Sequence, residues 1–249
     1  MNEIIYGVHS VETLLIYAPH RILDLYLLKD HDNRRFYKLI EPLRKKGISI
    51  YIVNRQFLDK KAKGGLHQGI IALVQKPRKY KEKDLIDLLE NKPKLLLVLD
   101  NVTDPHNLGA CLRTADAAGV QAVIIPNNRT APLNPIAKKV ASGAAETIPL
   151  IRVINLARTL RLLKAYNIWV VGTTTESDKY FYQTKLTQPL AVVMGSEGKG
   201  IRRLTQEHCS ELISIPMSGA LSSLNVSVAA GICLFEVIRQ RNSIIIQNS

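Results

Sequence analysis

Three short stretches of this chain carry side chains whose types and spacing could do chemistry. The first, LDNVTDPHNLGACLRTAD at residues 99–116, reads as a strand end, a polar loop with a proline and the start of a helix. Asn107 stands where a helix cap would, and Arg113 falls about two turns in, with Asp116 three residues later. The free N–H groups of a helix N-terminus favour an anion such as phosphate. The same residues also read as a plain cap and an Arg113–Asp116 surface pair. The second, VVMGSEGKGI at residues 192–201, is an apolar run entering a turn with three glycines in six residues, which lets backbone approach a ligand or turn sharply. It has neither the spacing of a phosphate-binding Walker loop nor GxGxxG before a helix, so ATP and nicotinamide cofactors lose support. The third, ISIPMSGALSSLNVSV at residues 213–228, sets Ser222, Ser223 and Asn225 where a final helix begins, either as reacting-group holders or as ordinary caps. His67 and His106 offer an acid or base, and neither has metal-ligand spacing.

Elements must exist to position these stretches. Apolar runs recur at Leu95–Leu99, Val120–Pro126, Ile148–Val153, Ile168–Gly172, Leu190–Met194 and Leu212–Ile215. Helical patterns lie at Leu108–Ala118, at Asn155–Ala165 with Asn155 as cap, and at Val226–Arg241. Continuous runs alternating with helices predict a mostly parallel sheet covered on both faces. In such sheets ligands sit beyond the carboxyl ends of the strands, where all three stretches fall. Upstream, Ile22–Leu28, a charged helix near Arg34–Lys46, Ile48–Val53 and Gly69–Val74 predict a small α/β domain over 1–74. Residues 75–94 open with QKPRKYKEK, a basic linker leading into a catalytic domain over 95–249.

The chain of 249 residues is 46% apolar, enough to fill real cores, and its formal net charge is +13. The excess is spread along it: 12 basic against 7 acidic residues in 1–74, 7 against 4 in 75–94, and 15 against 10 in 95–249. That balance suits a polyanionic partner as well as simple solubility. Cys111, Cys209 and Cys233 form no CxxC pair, so neither a disulfide framework nor a zinc site is indicated. No signal peptide and no apolar run of membrane-span length is visible, which makes the cytoplasm the expected location.

Taken together, the three stretches resemble the signature sequences of the SPOUT methyltransferase superfamily, in its TrmH/SpoU branch. Asn107 and Arg113, then GSEGKG at 195–200, then SLNVS at 223–227, stand in order over about 120 residues, which is far more specific than any one motif. The likeness extends upstream through IYGVHSVE at 5–12 and HQGIIA at 67–72, and so resembles the bacterial 23S ribosomal RNA guanosine 2′-O-methyltransferases of that branch. The resemblance implies a small ribosomal-protein-like RNA-binding domain, a linker, and a catalytic domain whose chain forms a deep trefoil knot around S-adenosylmethionine. It implies a homodimer with each active site near the subunit interface, no metal, and a target in the peptidyl-transferase loop. Family positions that bind S-adenosylmethionine map onto Gly195, Ile215 and Leu224, with Met217 lining the pocket. Asn107, Arg113, Glu197, Ser223 and Asn225 map onto positions for catalysis or substrate placement.

Methyl transfer from a sulfonium is an in-line displacement, so positioning should supply much of the rate. A guanidinium is a poor free base, so Arg113 is expected to grip the target phosphate and favour the developing alkoxide, the proton leaving through a phosphate oxygen, Glu197 or water. Two alternatives stay open: a transfer RNA 2′-O-methyltransferase of the same branch, and a non-catalytic RNA-binding ribosome-assembly protein. The second predicts loss of Arg113, Glu197 or Asn225, all of which are present.

Overall fold

The computed structural model describes residues 2–29, 40, 41, 43, 44, 47–76, 80–92 and 94–247. It divides into two compact units, Met1–Arg78 and Lys79–Ser249. Of the helix expected near Arg34–Lys46, residues 40, 41, 43 and 44 are helical and the others lie outside the described residues, as do 77–79 of the expected linker.

The first unit runs β1 (Asn2–Tyr6), α1 (Val8–Tyr17), β2 (Ile22–Leu28), β3 (Ser49–Val53), α2 (Arg55–Ala62) and β4 (Ile70–Gln75). Its sheet has the order β1-β4-β2-β3, with β4 antiparallel to both neighbours and β2 parallel to β3. Strand residues alternate between two cores. Leu25, Leu27, Ile70, Ala72 and Val74 pack with Val11, Leu14 and Leu15 of α1. Tyr26 and Ile71 pack with Leu58 and Ala62 of α2. Asn54 caps α2, its Oδ1 accepting from the Phe57 N–H at 3.0 Å. His67 is a structural residue: buried, it accepts from the Gly69 N–H at Nδ1 (3.0 Å), which leaves Nε2–H to donate to Asp59 Oδ1 (2.9 Å) and fixes the turn before β4.

The second unit contains α3 (Glu82–Glu90), β5 (Leu95–Leu99), α4 (Pro105–Ala117), β6 (Ala122–Pro126), α5 (Pro135–Ala141), α6 (Ala144–Thr147), β7 (Leu150–Val153), α7 (Leu156–Ala165), β8 (Trp169–Thr173), β9 (Leu190–Met194), α8 (Arg203–Gln206), β10 (Glu211–Ile213) and α9 (Val226–Gln247). All paired strands are parallel, in the order β10-β8-β9-β5-β6-β7. β5 shows why its sequence is one apolar run. Leu95, Leu97 and Leu99 enter the core with α4 and α9, while Leu96 and Val98 enter the core with α3 and α7. The runs at Val120 and Ile148 begin before their strands because those residues first close helix ends: the Val120 N–H donates to the Ala115 carbonyl (2.9 Å) and the Ile148 N–H to the Ala144 carbonyl (3.0 Å). Asn155 caps α7 through the Arg158 N–H at 3.0 Å.

The topology gathers the three stretches. The chain builds β5, β6 and β7 outward, crosses back to β8, and then inserts β9 into the slot between β5 and β8. The carboxyl ends of β5, β9 and β8 therefore lie side by side at Leu99, Met194 and Thr173, the kind of strand-order reversal where α/β sheets hold ligands.

Candidate active site

The glycine turn after β9 is folded back on itself. Ser196 and Gly200 exchange backbone hydrogen bonds, Ser196 N–H to the Gly200 carbonyl at 3.1 Å and Gly200 N–H to the Ser196 carbonyl at 2.9 Å. Gly198 and Gly200 take φ +76° and +62°, where a side chain is strained, and a Cβ on Gly195 would lie 2.0 Å from the Gly200 carbonyl carbon. Both ends of the turn are tied to β5. The Asp100 N–H donates to the Met194 carbonyl at 2.8 Å. The fully buried Asp100 carboxylate accepts from Arg202 N (3.0 Å) and Nε (2.7 Å), with Nη2 at 2.5 Å. Sequence reasoning missed both Asp100 and Arg202; the available signal was a charged residue directly after a wholly apolar strand.

Against this turn lies a cavity of about 260 Å³. Gly195, Glu197, Ile215, Met217, Ser223 and Leu224 all line it. Residues 173–176, the last residue of β8 and the three that follow, form a further wall that the sequence did not mark, since three threonines and a glutamate carry no distinctive spacing.

Glu197 joins the three stretches. Its Oε1 accepts from Asn107 Nδ2 at 3.0 Å, from Asn225 Nδ2 at 2.5 Å and from the Val226 N–H at 3.3 Å, the last at the N-terminus of α9. Asn225 Nδ2 also donates to Asn107 Oδ1 at 3.0 Å. Three N–H donors, one of them at the helix N-terminus, thus hold this one oxygen of the Glu197 side chain in place. Asn225 is at once cap and tie, for its Oδ1 accepts from the Ser227 N–H (2.9 Å) and hydroxyl (2.6 Å). Asn107 is not the cap of α4. Asp104 is, accepting from the His106 N–H at 2.9 Å with Pro105 in the first helical position, and this frees the Asn107 amide for Glu197. The same His106 backbone hydrogen bond holds the Asp104 carboxyl below the usual range.

Arg113 stands apart. It is exposed on α4, does not line the cavity, and has no hydrogen-bond or ion-pair partner among the described residues. The surface pair with Asp116 does not form; the Asp116 carboxylate instead accepts from Thr147 Oγ1 at 2.7 Å. Burial pushes the thiols of Cys111 and Cys233 up to about 12, so both are inert core groups. Among the described residues no three His, Cys, Asp or Glu side chains gather to hold a metal ion, and no helix is long and apolar enough to cross a membrane.

Residues 94–235 match the model of the SpoU rRNA Methylase family, and the match spans the turn, the cavity wall and the Asn107–Glu197–Asn225 network. The chain belongs to the SpoU rRNA methylase family. Residues 4–80 match a second model, described as RNA 2'-O ribose methyltransferase substrate binding. The chain is 63% identical over 244 residues to the 23S rRNA (guanosine-2'-O-)-methyltransferase RlmB of Photorhabdus laumondii, covering 98% of this chain and 100% of that one. It is 59% identical over 243 residues to the enzyme of the same name from Escherichia coli K12, covering 97% and 100%. Its fold is similar to that of the SpoU methyltransferase AviRb from Streptomyces viridochromogenes, solved with the cofactor AdoMet, at TM-score 0.70 and 23% identity over 97% of this chain and 91% of that one. The second unit is thus a SpoU-type, SPOUT-class α/β fold.

Proposed function

We infer that this SpoU-family chain is an S-adenosylmethionine-dependent enzyme that methylates the ribose 2′-hydroxyl of a guanosine in 23S rRNA. The observation that carries the reading is the convergence of Asn107 and Asn225 on one carboxylate oxygen of Glu197 at the wall of the glycine-turned cavity. Near-full-length identity to curated 23S rRNA guanosine 2′-O-methyltransferases supports the substrate. The peptidyl-transferase loop as target, and the first unit as RNA reader, belong to the same proposal.

The cavity fits the cofactor. Its apolar wall of Ile215, Met217 and Leu224 suits an adenine and a thioether, the bare backbone at Gly195 admits close approach, and the carboxylates of Glu176 and Glu197 suit a cationic ligand. S-adenosylmethionine, when bound, supplies an electrophilic methyl on its sulfonium. The protein's share is placement. Asn107 and Asn225 lock Glu197, Ser223 and Asn225 are read as holders of the ribose, and Arg113, without a partner among the described residues, grips the target phosphate and stabilises the developing alkoxide. The proton leaves to a phosphate oxygen, to Glu197 Oε2 or to water.

That Arg113 does not line the cavity of its own chain supports the homodimer with sites near the subunit interface, and exposed Val228 and Phe235 on α9 offer apolar surface for it. The knot implied by the resemblance would involve the glycine turn and the Ser222–Val228 segment. A 23S rRNA substrate supports the cytoplasm as the enzyme's location. Incubation with labelled S-adenosylmethionine and unmodified 23S or transfer RNA, followed by mapping of the methylated ribose, tests the reading. Label in a 23S guanosine is expected; label in transfer RNA alone overturns it.

A further inference from the structure

The first unit carries an aromatic row that its fold does not consume. Strand register aligns Tyr6 of β1, Ile71 of β4, Tyr26 of β2 and Tyr51 of β3 across the whole sheet, on the face that α2 covers in part. Tyr26 is buried and donates its hydroxyl to Asp24 Oδ2 at 3.2 Å. Tyr51 stacks on it, with ring centroids 5.2 Å apart and planes 17° from parallel, and Phe57 of α2 approaches Tyr26 at 5.4 Å. Lys61 places its Nζ 4.5 Å from the Tyr26 ring and 5.5 Å from the Phe57 ring.

Tyr26 belongs to the core, but the rings around it do not. Tyr51 is 46% exposed, Phe57 41% and Tyr6 39%, and β3 is an edge strand, so the outer part of Tyr51 meets solvent. The surroundings are cationic: residues 55–63 hold Arg55, Lys60, Lys61 and Lys63 against the single acid Asp59, whose carboxylate is already engaged by His67. Half-exposed rings beside cations that have no ion-pair partner among the described residues form the footprint that unpaired nucleotides need, a π-face for the base and cations for the phosphates on either side. A protein-binding patch would instead be depleted of lysine at its centre. Duplex RNA, its bases stacked inside, has no use for the rings.

We propose that the Tyr51–Phe57–Lys61 face of the first unit stacks an unpaired base of the RNA substrate, with Lys60 and Lys61 meeting the adjoining phosphates. The proposal rests on the reading that this chain acts on RNA. It is tested in the full chain by titrating a fluorescent single-stranded loop fragment of 23S rRNA, and a duplex of equal length, against Tyr51→Phe, Tyr51→Leu and Phe57→Leu. Leucine keeps apolar cover but removes the stacking face and the ring contact with Tyr26, so melting temperature should fall by only a few degrees and S-adenosylmethionine affinity should stay at the parent value. Loop affinity should fall about tenfold or more in both leucine variants and stay within about twofold in Tyr51→Phe, with duplex binding unchanged. Lys61→Gln should lower the slope of log affinity against log salt by about one. If the parent binds the loop and both leucine variants bind it equally well, this face is not the reader, while the methyltransferase assignment stands. If the parent shows no salt-dependent RNA binding at all, both readings are overturned.

Discussion

Replacing Arg113 by lysine separates a catalytic guanidinium from a merely basic surface. The structure fixes the background against which the effect is read. Arg113 is exposed and without a protein partner among the described residues, so the change should shift stability by no more than about 0.5 kcal/mol, a melting shift within about 2 °C for a chain of this size. It does not line the cavity, so S-adenosylmethionine affinity should be unchanged. Lysine preserves the charge but cannot present two parallel N–H donors to a phosphate or to a developing alkoxide and its neighbour. Loss of a positioned charge-stabilising group costs roughly two to four orders of magnitude, about 2.7–5.5 kcal/mol of transition-state stabilisation. Single-turnover methylation at saturating RNA and cofactor is the assay, since it reads the chemical step without substrate binding or product release. Arg113→Lys and Arg113→Ala should both fall into that range. Arg113→Lys turning over near the parent rate would show that any cation suffices there, and the proposed grip on the phosphate would be wrong.

Other perturbations test the rest of the site. Asn225→Ala removes a cap worth about 0.5–2 kcal/mol and one of the three donors to Glu197, so methylation should fall at least about tenfold while melting drops by only a few degrees; a thermal defect with normal turnover would reduce Asn225 to a cap. Gly195→Ala drives a methyl into the Gly200 backbone, and calorimetry should find S-adenosylmethionine binding lost from a chain whose far-UV spectrum is unaltered; parent affinity would show that the turn can open without cost. Arg202→Leu leaves the buried Asp100 carboxylate without its half-exposed cation, which should cost about 1–3 kcal/mol in urea unfolding, and Asp100→Asn added to it should recover part of the loss; equal stability of single and double variants would contradict that account.

The strands of the second unit were legible because burial on both faces forces an uninterrupted apolar run, so Leu95–Leu99 and Leu190–Met194 are marked by composition alone. The cap at Asn155 was equally legible, since capping is decided within four residues. Where two cap candidates stood close together, at Asp104 and Asn107, local pattern did not choose. Proline fits the first helical position, which puts the cap at Asp104 and releases Asn107 into the site. The motifs singled out Asn107, Glu197 and Asn225 as candidates, but not that an amide at 107, a carboxylate at 197 and an amide at 225 share one hydrogen-bond network. That depends on β9 entering the slot between β5 and β8, a long-range pairing that no periodicity encodes. Nor could sequence show that Asp100 anchors the glycine turn through Arg202, or that Tyr6, Tyr26 and Tyr51 fall in one row, because register between distant strands is set by packing of the whole sheet. Residue chemistry and local periodicity are properties of neighbours along the chain; the site is made of neighbours in space, and only the tertiary fold decides those.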